Sequence, residues 1–220
     1  MSRIAACLLL TTCLAAPDIG AEREESGVDI DPVSLSRLPV VERDTLDADG
    51  QRVYDMVVGR DRTTPLLGPG GISMHSPKVA EAMHLLNSYL RSGNSVLDAR
   101  HYEVAILVAA WEFEQQYEWT AHEPAARRAG VPDVVIDAIK YDRGVDGLGA
   151  DDSLIVRFAR ALLREHQLSS DLYAEAVKRF GQQGTFELAA VIGDYVMAGI
   201  MLNTADQRQP ADRPALLPAR

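Results

Sequence analysis

The spacing of its apolar residues is the feature that most constrains the fold of this chain. Between residues 98 and 113, Tyr102, Ile106, Ala109 and Phe113 follow one another at intervals of three or four. That spacing places side chains on one face of an α-helix. No segment shows the alternation of apolar and polar residues, bounded by hairpin turns, that is typical of β-strands. The sequence therefore predicts an all-α fold, a single-domain bundle of seven to eight helices.

Capping residues and glycines divide the periodic segments. Asp47 and either Ser95 or Asp98 are placed to cap helices at their starts. Gly130 and Gly181 follow periodic segments, where helices commonly end. These signals predict helices over residues 47–58, 77–91, 98–113, 115–128, 132–141, 152–165, 170–180 and 185–202. The last of these is apolar on nearly every side, so we expect it to be buried in the core or in a subunit interface.

The charge of the chain restricts its partners. The 220 residues carry a net charge of −10, with 47% hydrophobic and 25% charged residues. This composition is that of a globular protein with one sizeable core. No basic stripe is available to neutralise phosphates, which argues against a nucleic-acid partner. The same negative charge disfavours adhesion to an anionic membrane surface.

The first 21 residues resemble a secretory signal peptide. A basic residue, Arg3, precedes the apolar run 4–16, and a small-residue pattern ends at Ala21. The run is shorter than the roughly 20 residues that span a bilayer, so we expect cleavage, near Ala21 or near Ala16, and no membrane insertion afterwards. The protein is then predicted to be exported, and periplasmic or secreted.

Removal of this segment has a chemical consequence. The two cysteines, Cys7 and Cys13, both lie within it, so the mature protein is predicted to contain neither a disulfide nor a thiol nucleophile. After it we expect an extended lead-in over residues 22–36, a helical domain over 37–205 and a disordered tail over 206–220, where prolines and arginines concentrate. The glycine-containing loop 59–77 lacks the Lys-Ser/Thr of a phosphate loop, and no cofactor fingerprint is present, so no cofactor is predicted.

The candidate site lies between residues 98 and 130. Glu103 stands at the edge of an apolar helix, where an unpaired carboxylate is costly to bury. Glu114, Glu118 and His122 are spaced by four and are predicted to share a helix face, so that a carboxylate can polarise the histidine for proton transfer. Nearby aromatic residues provide apolar walls for an organic ligand; these are Trp111, Tyr117 and Trp119.

The same residues also fit structural roles. Glu118 and His122 have the spacing of an ordinary surface pair, and the aromatic residues are equally suited to a core. Glu103 has possible structural partners in Arg100 and Arg127. A metal site is a further alternative, in which Glu118 and His122 are joined by His75 or Glu103.

Three runs resemble the carboxymuconolactone decarboxylase family, which includes the alkylhydroperoxidase D-like proteins. They are Arg100-x2-Glu103, then Tyr117-Glu118-Trp119-x2-His122, then Ala125-x3-Ala129-Gly130-Val131-Pro132, and the likeness extends over residues 37–205. The resemblance implies an all-helical homo-oligomer, a dimer, trimer or hexamer. The peroxidase-like branch has two cysteines at the positions of Gln115 and Glu118, so thiol peroxidase activity is not expected. The decarboxylase branch uses acid–base residues instead.

Residues and resemblance together lead to one expected function. The chain is predicted to be a cofactor-independent lyase, decarboxylase or isomerase for a small organic acid or lactone. The predicted catalytic residues are His122, Glu118 and Glu103, and the predicted substrate-binding residues are Trp111, Tyr117, Trp119, His75 and Gln115. A non-catalytic exported binding or assembly protein of the same fold is the alternative, and a metal-dependent hydrolase or lyase is the third.

Overall fold

The computed structural model describes residues 29–218, which contain eight α-helices and no strand. The predicted all-α fold is confirmed, whereas the predicted signal peptide lies outside the described residues. Short 3-10 and π-helical turns at Arg43–Thr45, Asp55–Gly59 and Ala161–Glu165 accompany the helices. The helices are α1 Ala48–Tyr54, α2 Pro69–Ser73, α3 Pro77–Arg91, α4 Ala99–Glu112, α5 Gln116–Arg128, α6 Asp133–Lys140, α7 Ala150–Arg160 and α8 Ser170–Ala205.

Helix α4 is the centre of the molecule. All nine residues from Glu103 to Trp111 are buried, because α5, α6, α7 and α8 pack around this helix. Of the two predicted starting residues, Asp98 is the cap: its carboxylate accepts a hydrogen bond of 2.9 Å from the backbone N–H of His101. Glu103 is thus held inside the bundle, where its carboxylate needs partners.

A tight turn reverses the chain between α4 and α5. Glu114 has a φ of 51°, a left-handed conformation that ends α4, and α5 begins only at Gln116. The prediction that Glu114 shares a helix face with Glu118 and His122 is therefore wrong. The reversal instead lays α5 against α4, which brings Glu118 and His122 next to Glu103.

Helix α8 is broken at Gly181, as its sequence predicts. Gly181 has a φ of 71° and a ψ of 176°, which only glycine adopts readily, so two helices meet at an angle here. Helix α8 is long and apolar enough to cross a membrane, with a mean hydropathy of 1.5 in its most apolar stretch. However, 56% of that stretch is buried within the domain, and α8 as a whole packs against α4, α7, α2 and α3. This is the packing of a core helix.

The C-terminal segment, for which composition predicts a disordered tail, makes several contacts with the domain. Arg208 N–H donates to Leu35 O at 2.8 Å, and Gln207 donates to Ser34 O at 3.0 Å, whereas residues 211–215 are exposed. Leu217 is only 8% exposed and packs on the core. Together these hydrogen bonds and buried apolar surface offset the conformational entropy that ordering a proline-rich segment costs. The composition on which the prediction was based carries no information about these contacts.

Candidate functional site

His122 lies between two buried carboxylates. Its Nδ1 is 2.8 Å from Glu103 Oε2, and its Nε2 is 3.4 Å from Glu118 Oε2. The imidazole is 8% exposed, Glu103 2% and Glu118 4%. An ionised carboxylate only accepts hydrogen bonds, so the ring N–H at Nδ1 donates to Glu103. Glu118 and His122 are therefore not the surface pair that their spacing alone also permits.

Arg91, at the end of α3, approaches the far side of Glu103. Its Nη2 is 3.6 Å from Glu103 Oε1. The two arginines considered from sequence have other partners: Arg100 donates to Asp152 at 2.5 Å, and Arg127 donates to Glu123 at 2.6 Å. Glu103 therefore has a histidine on one oxygen and a guanidinium near the other.

Helix α8 completes the surroundings of the histidine. The Tyr195 ring stands edge-on to the His122 ring, with centroids 5.0 Å apart and planes at 88°. Arg91 Nη1 donates to Tyr195 Oη at 3.3 Å. Asp194, the residue before Tyr195 on α8, accepts a hydrogen bond of 3.0 Å from the Asn87 side chain at its Oδ2. Sequence reasoning placed none of these four residues at the site, because they lie on helices distant in sequence from the motif.

These groups border a cavity of about 410 Å³ between α3, α5, α8 and the loop around α2. Its volume suits a small organic molecule. Glu118 and His122 are on its wall, whereas Glu103 is behind the histidine and is not part of the lining. The lining residues with polar side chains are Ser73, His84, Asn87, Arg91, Tyr117, Glu118, His122, Asp194 and Tyr195.

Only one of the predicted substrate-binding residues borders this cavity. Tyr117 is part of its wall. Trp119 is fully buried in the core and donates its indole N–H to Glu123, and Trp111 donates to Lys140 O at 3.1 Å. The two tryptophans therefore stabilise the packing of α4 and α5, and neither lines the cavity.

The other two predicted binding residues also lie elsewhere. The exposed His75 has its Nε2 2.9 Å from Pro39 O and borders a separate surface recess. Gln115 donates to Gly199 O at 3.3 Å and to Asn203, joining the α4–α5 turn to α8. Besides His122, the cavity wall includes a second histidine, His84 of α3, which was not among the predicted residues. His75 was predicted because it lies in the glycine-containing loop 59–77. The spacing of apolar residues predicts α3 but does not show that His84 borders a cavity.

Burial changes the acid–base properties of two carboxyl groups at the cavity. Desolvation raises the pKa of Glu118; the positive charge of His122 acts in the opposite direction, and the neighbouring Asp194 adds to the rise. Desolvation also raises the pKa of Asp194, although the hydrogen bond from Asn87 opposes it. Both groups can therefore hold a proton at a pH where an exposed carboxyl group has lost it. Such a group next to a histidine can donate a proton to a bound molecule.

The raised pKa of Glu118 predicts a measurable effect of pH on stability. Between the ordinary value of 4.5 and the raised value, the folded protein binds the extra proton, so the free energy of unfolding falls as pH increases. Glu118→Gln removes this contribution and is expected to gain stability relative to the wild type as pH rises above 4.5. Urea denaturation of both proteins over a pH series measures the difference. Parallel pH profiles contradict the raised pKa.

Gly68 supports the cavity wall through Tyr117. It has a φ of 79°, and a Cβ at this position falls 2.4 Å from Tyr117 Cε1. Gly68→Ala is therefore expected to displace the tyrosine ring and to lower the free energy of unfolding by about 1–3 kcal/mol beyond the cost of the positive φ. Gly59→Ala is the control, because its φ is 97° with open space around an added methyl group. Equal losses of stability in denaturant titrations of the two variants contradict the contact.

A metal centre receives no support from the geometry. Among residues 29–218, no group of three or more histidine, cysteine, aspartate or glutamate side chains is arranged to hold a metal ion. Of the two third ligands considered, His75 bonds to Pro39 O instead of joining Glu118 and His122, and Glu103 accepts a hydrogen bond from His122 Nδ1.

The fold is similar to that of a solved structure, the alkylhydroperoxidase AhpD core of an uncharacterized peroxidase-related protein from Ralstonia eutropha JMP134. The likeness has a TM-score of 0.64 at 16% sequence identity and covers 81% of this chain and 94% of that one. No protein-family model matches the sequence, and no curated protein matches it. A likeness at this identity bears on the fold, while function rests on the site. The chain therefore has the all-α alkylhydroperoxidase D-like fold.

Proposed function

We propose that this protein is a carboxymuconolactone decarboxylase-like enzyme, an acid–base lyase, decarboxylase or isomerase for a small organic acid or lactone that works without a cofactor. The observation that carries the proposal is the position of His122. Its ring is held between Glu103 and Glu118, and it borders a cavity large enough for such a ligand. A histidine oriented by a carboxylate and open to a ligand is the usual arrangement of a general acid or base.

The three residues have different roles in this proposal. Glu103 fixes the ring by accepting from Nδ1–H, which leaves Nε2 as the nitrogen that gains or loses the transferred proton. Glu118 lies 3.4 Å from Nε2 and borders the cavity, so it exchanges the proton with His122 or with the ligand. Glu103 does not border the cavity and acts by positioning the histidine.

Thiol peroxidase chemistry is not part of the proposal. The positions that the resemblance gives to cysteines are occupied by Gln115 and Glu118, which form no thiolate. Gln115 instead bonds to α8. The two cysteines of the sequence, Cys7 and Cys13, lie outside the described residues.

The non-catalytic binding protein differs from this proposal in what it expects around His122. It expects Glu103 to pair with an arginine, and Glu103 does form an ion pair with Arg91, at 3.6 Å. It also expects a histidine that faces no cavity, and here His122 borders one of about 410 Å³. The cavity is the observation that favours the enzyme. We also propose that the protein is exported and forms a homo-oligomer; light scattering on the purified protein measures the subunit number.

A ligand screen followed by an activity assay tests the proposed function. Small carboxylates and lactones are screened by thermal shift, since a ligand that binds the folded state raises the Tm. Each hit is then incubated with the protein and followed by NMR for loss of carboxylate, ring opening or double-bond migration. Turnover of a hit supports the proposal. A hit that binds and stays unchanged over a long incubation supports the binding protein instead.

A further inference from the structure

Arg91 is an incompletely paired guanidinium at the cavity. Its Nη1 donates to Tyr195 Oη at 3.3 Å, and its Nη2 forms an ion pair with Glu103 Oε1 at 3.6 Å, beyond hydrogen-bond distance. A side-chain hydrogen bond with Tyr102 is among the contacts that raise the pKa of Arg91. The guanidinium also lies 5.6 Å from the Tyr102 ring centroid. A guanidinium has five N–H donors. Its contacts with Tyr195, Tyr102 and Glu103 therefore leave some of these donors for a ligand.

Other arginines of this chain are paired quite differently. Arg43 donates to both oxygens of Asp55 at 2.7 and 3.0 Å. Arg157 donates to both oxygens of Glu175 at 2.9 and 2.6 Å. These are bidentate, or two-pronged, contacts, in which two N–H groups of a guanidinium donate to the two oxygens of one carboxylate. Arg91 lies on the cavity wall and makes no such contact with any described residue.

Arg91 and His122 are close neighbours. Glu103 contacts both, with Oε1 toward the arginine and Oε2 toward the histidine. Tyr195 also contacts both, through its hydroxyl and the edge of its ring. A small ligand whose carboxylate binds the guanidinium can therefore also reach the imidazole of His122.

We infer that Arg91 binds a carboxylate of the ligand and thereby positions the rest of that ligand at His122 and Glu118. The bound class is a small anion with a planar carboxylate, and Arg91 is the residue that distinguishes it from a neutral analogue. The guanidinium donates two parallel hydrogen bonds to the carboxylate oxygens, as Arg43 does to Asp55. Carboxylate binding by Arg91 does not depend on the proposed function; only the reaction that follows binding does.

The other charged groups at the cavity are compatible with an anion. Among the described residues, Arg91 is the one lysine or arginine in the lining, and the carboxyl groups there are Glu118 and Asp194. Burial raises the pKa of both carboxyl groups, which favours their uncharged forms and weakens their repulsion of a bound anion. The side chain of Arg91 is 39% exposed, so a ligand reaches it without unfolding of α3.

Calorimetric titration with matched pairs of probes tests this inference. The probes are benzoate with benzamide, and 5-oxotetrahydrofuran-2-carboxylate with its carboxamide. The wild type is expected to bind at least one carboxylate more tightly than its amide. Arg91→Gln is expected to weaken binding of that carboxylate by about 10- to 100-fold and to remove the preference, since a charged two-pronged contact is lost. Arg91→Lys keeps the positive charge but loses the planar guanidinium. Its affinity for the carboxylate is expected to lie between those of the wild type and Arg91→Gln.

Two further variants separate this inference from the proposed function. Arg37→Gln removes a similarly exposed arginine outside the cavity, 44% exposed, and is expected to keep the preference. His122→Asn is expected to keep it too, because the histidine is assigned to the reaction and not to carboxylate binding. If the wild type prefers carboxylates to amides but turns over no ligand, the binding role of Arg91 is supported and the proposed enzyme is refuted. If it turns over a ligand but shows no preference for carboxylates, the proposed enzyme is supported and the binding role of Arg91 is refuted.

Three results overturn the role of Arg91. They are a wild type that binds neither carboxylate, a wild type that binds amide and carboxylate equally, and an Arg91→Gln variant that keeps the preference. If Arg91→Gln fails to fold, as its thermal melt shows, Arg91→Lys decides: an undiminished preference in that variant overturns the role.

Discussion

Replacement of His122 by asparagine is expected to lower kcat/KM for the ligand identified by screening by about 10²- to 10⁴-fold, the usual contribution of a general acid or base. The asparagine amide can still donate to Glu103, so this buried carboxylate keeps a partner and the fold is retained. The variant and the wild type are compared by steady-state kinetics, with urea denaturation to verify folding.

His75→Asn is the matched control for this loss. His75 is exposed, bonds to Pro39 O and does not border the cavity, so its replacement is expected to leave kcat/KM unchanged. Activity that survives His122→Asn, or that falls equally in both variants, contradicts the assignment of His122.

Trp119→Ala is expected to lower the free energy of unfolding by about 3–5 kcal/mol, the usual cost of truncating a buried aromatic residue to alanine. Trp119 is fully buried in the main core, and its indole N–H donates to Glu123. Truncation leaves a cavity and removes one partner of a carboxylate that Arg127 and Lys140 also contact. Denaturant titration monitored by far-ultraviolet circular dichroism measures the change.

Trp119→Phe separates packing from ligand binding. The smaller change keeps most of the volume, so the variant is expected to lose less stability and to bind ligands as the wild type does, because Trp119 does not border the cavity. A phenylalanine variant of unchanged stability that binds ligands more weakly contradicts the assignment of Trp119 to the core.

The helices could be predicted from the sequence because their signals are local. The carboxylate of Asp98 and the backbone of Gly181 act within a few residues, and an apolar period is visible within a single segment. Glu114 shows where this fails. Its spacing from Glu118 is right for a shared helix face, but its left-handed conformation ends one helix before the next begins.

The site was predictable only where its residues come from one stretch of chain. Glu103, Glu118 and His122 stand on two consecutive helices and carry the resemblance, so their association could be anticipated. Arg91 and Tyr195 are brought to them by α3 and α8, and no spacing rule relates residues so far apart. The tryptophans were assigned to a pocket on residue type alone, which does not distinguish a core from a ligand site.

Exchange of a carbon-bound proton of the ligand with solvent measures whether Glu103, His122 and Glu118 form an acid–base centre. The ligand identified by screening is incubated with the protein in D₂O, and deuterium incorporation is followed by NMR. We expect deuterium incorporation with the wild type and its loss with His122→Asn, while both proteins still bind the ligand. Binding in the cavity without any exchange or turnover, or equal exchange by both proteins, contradicts this acid–base role.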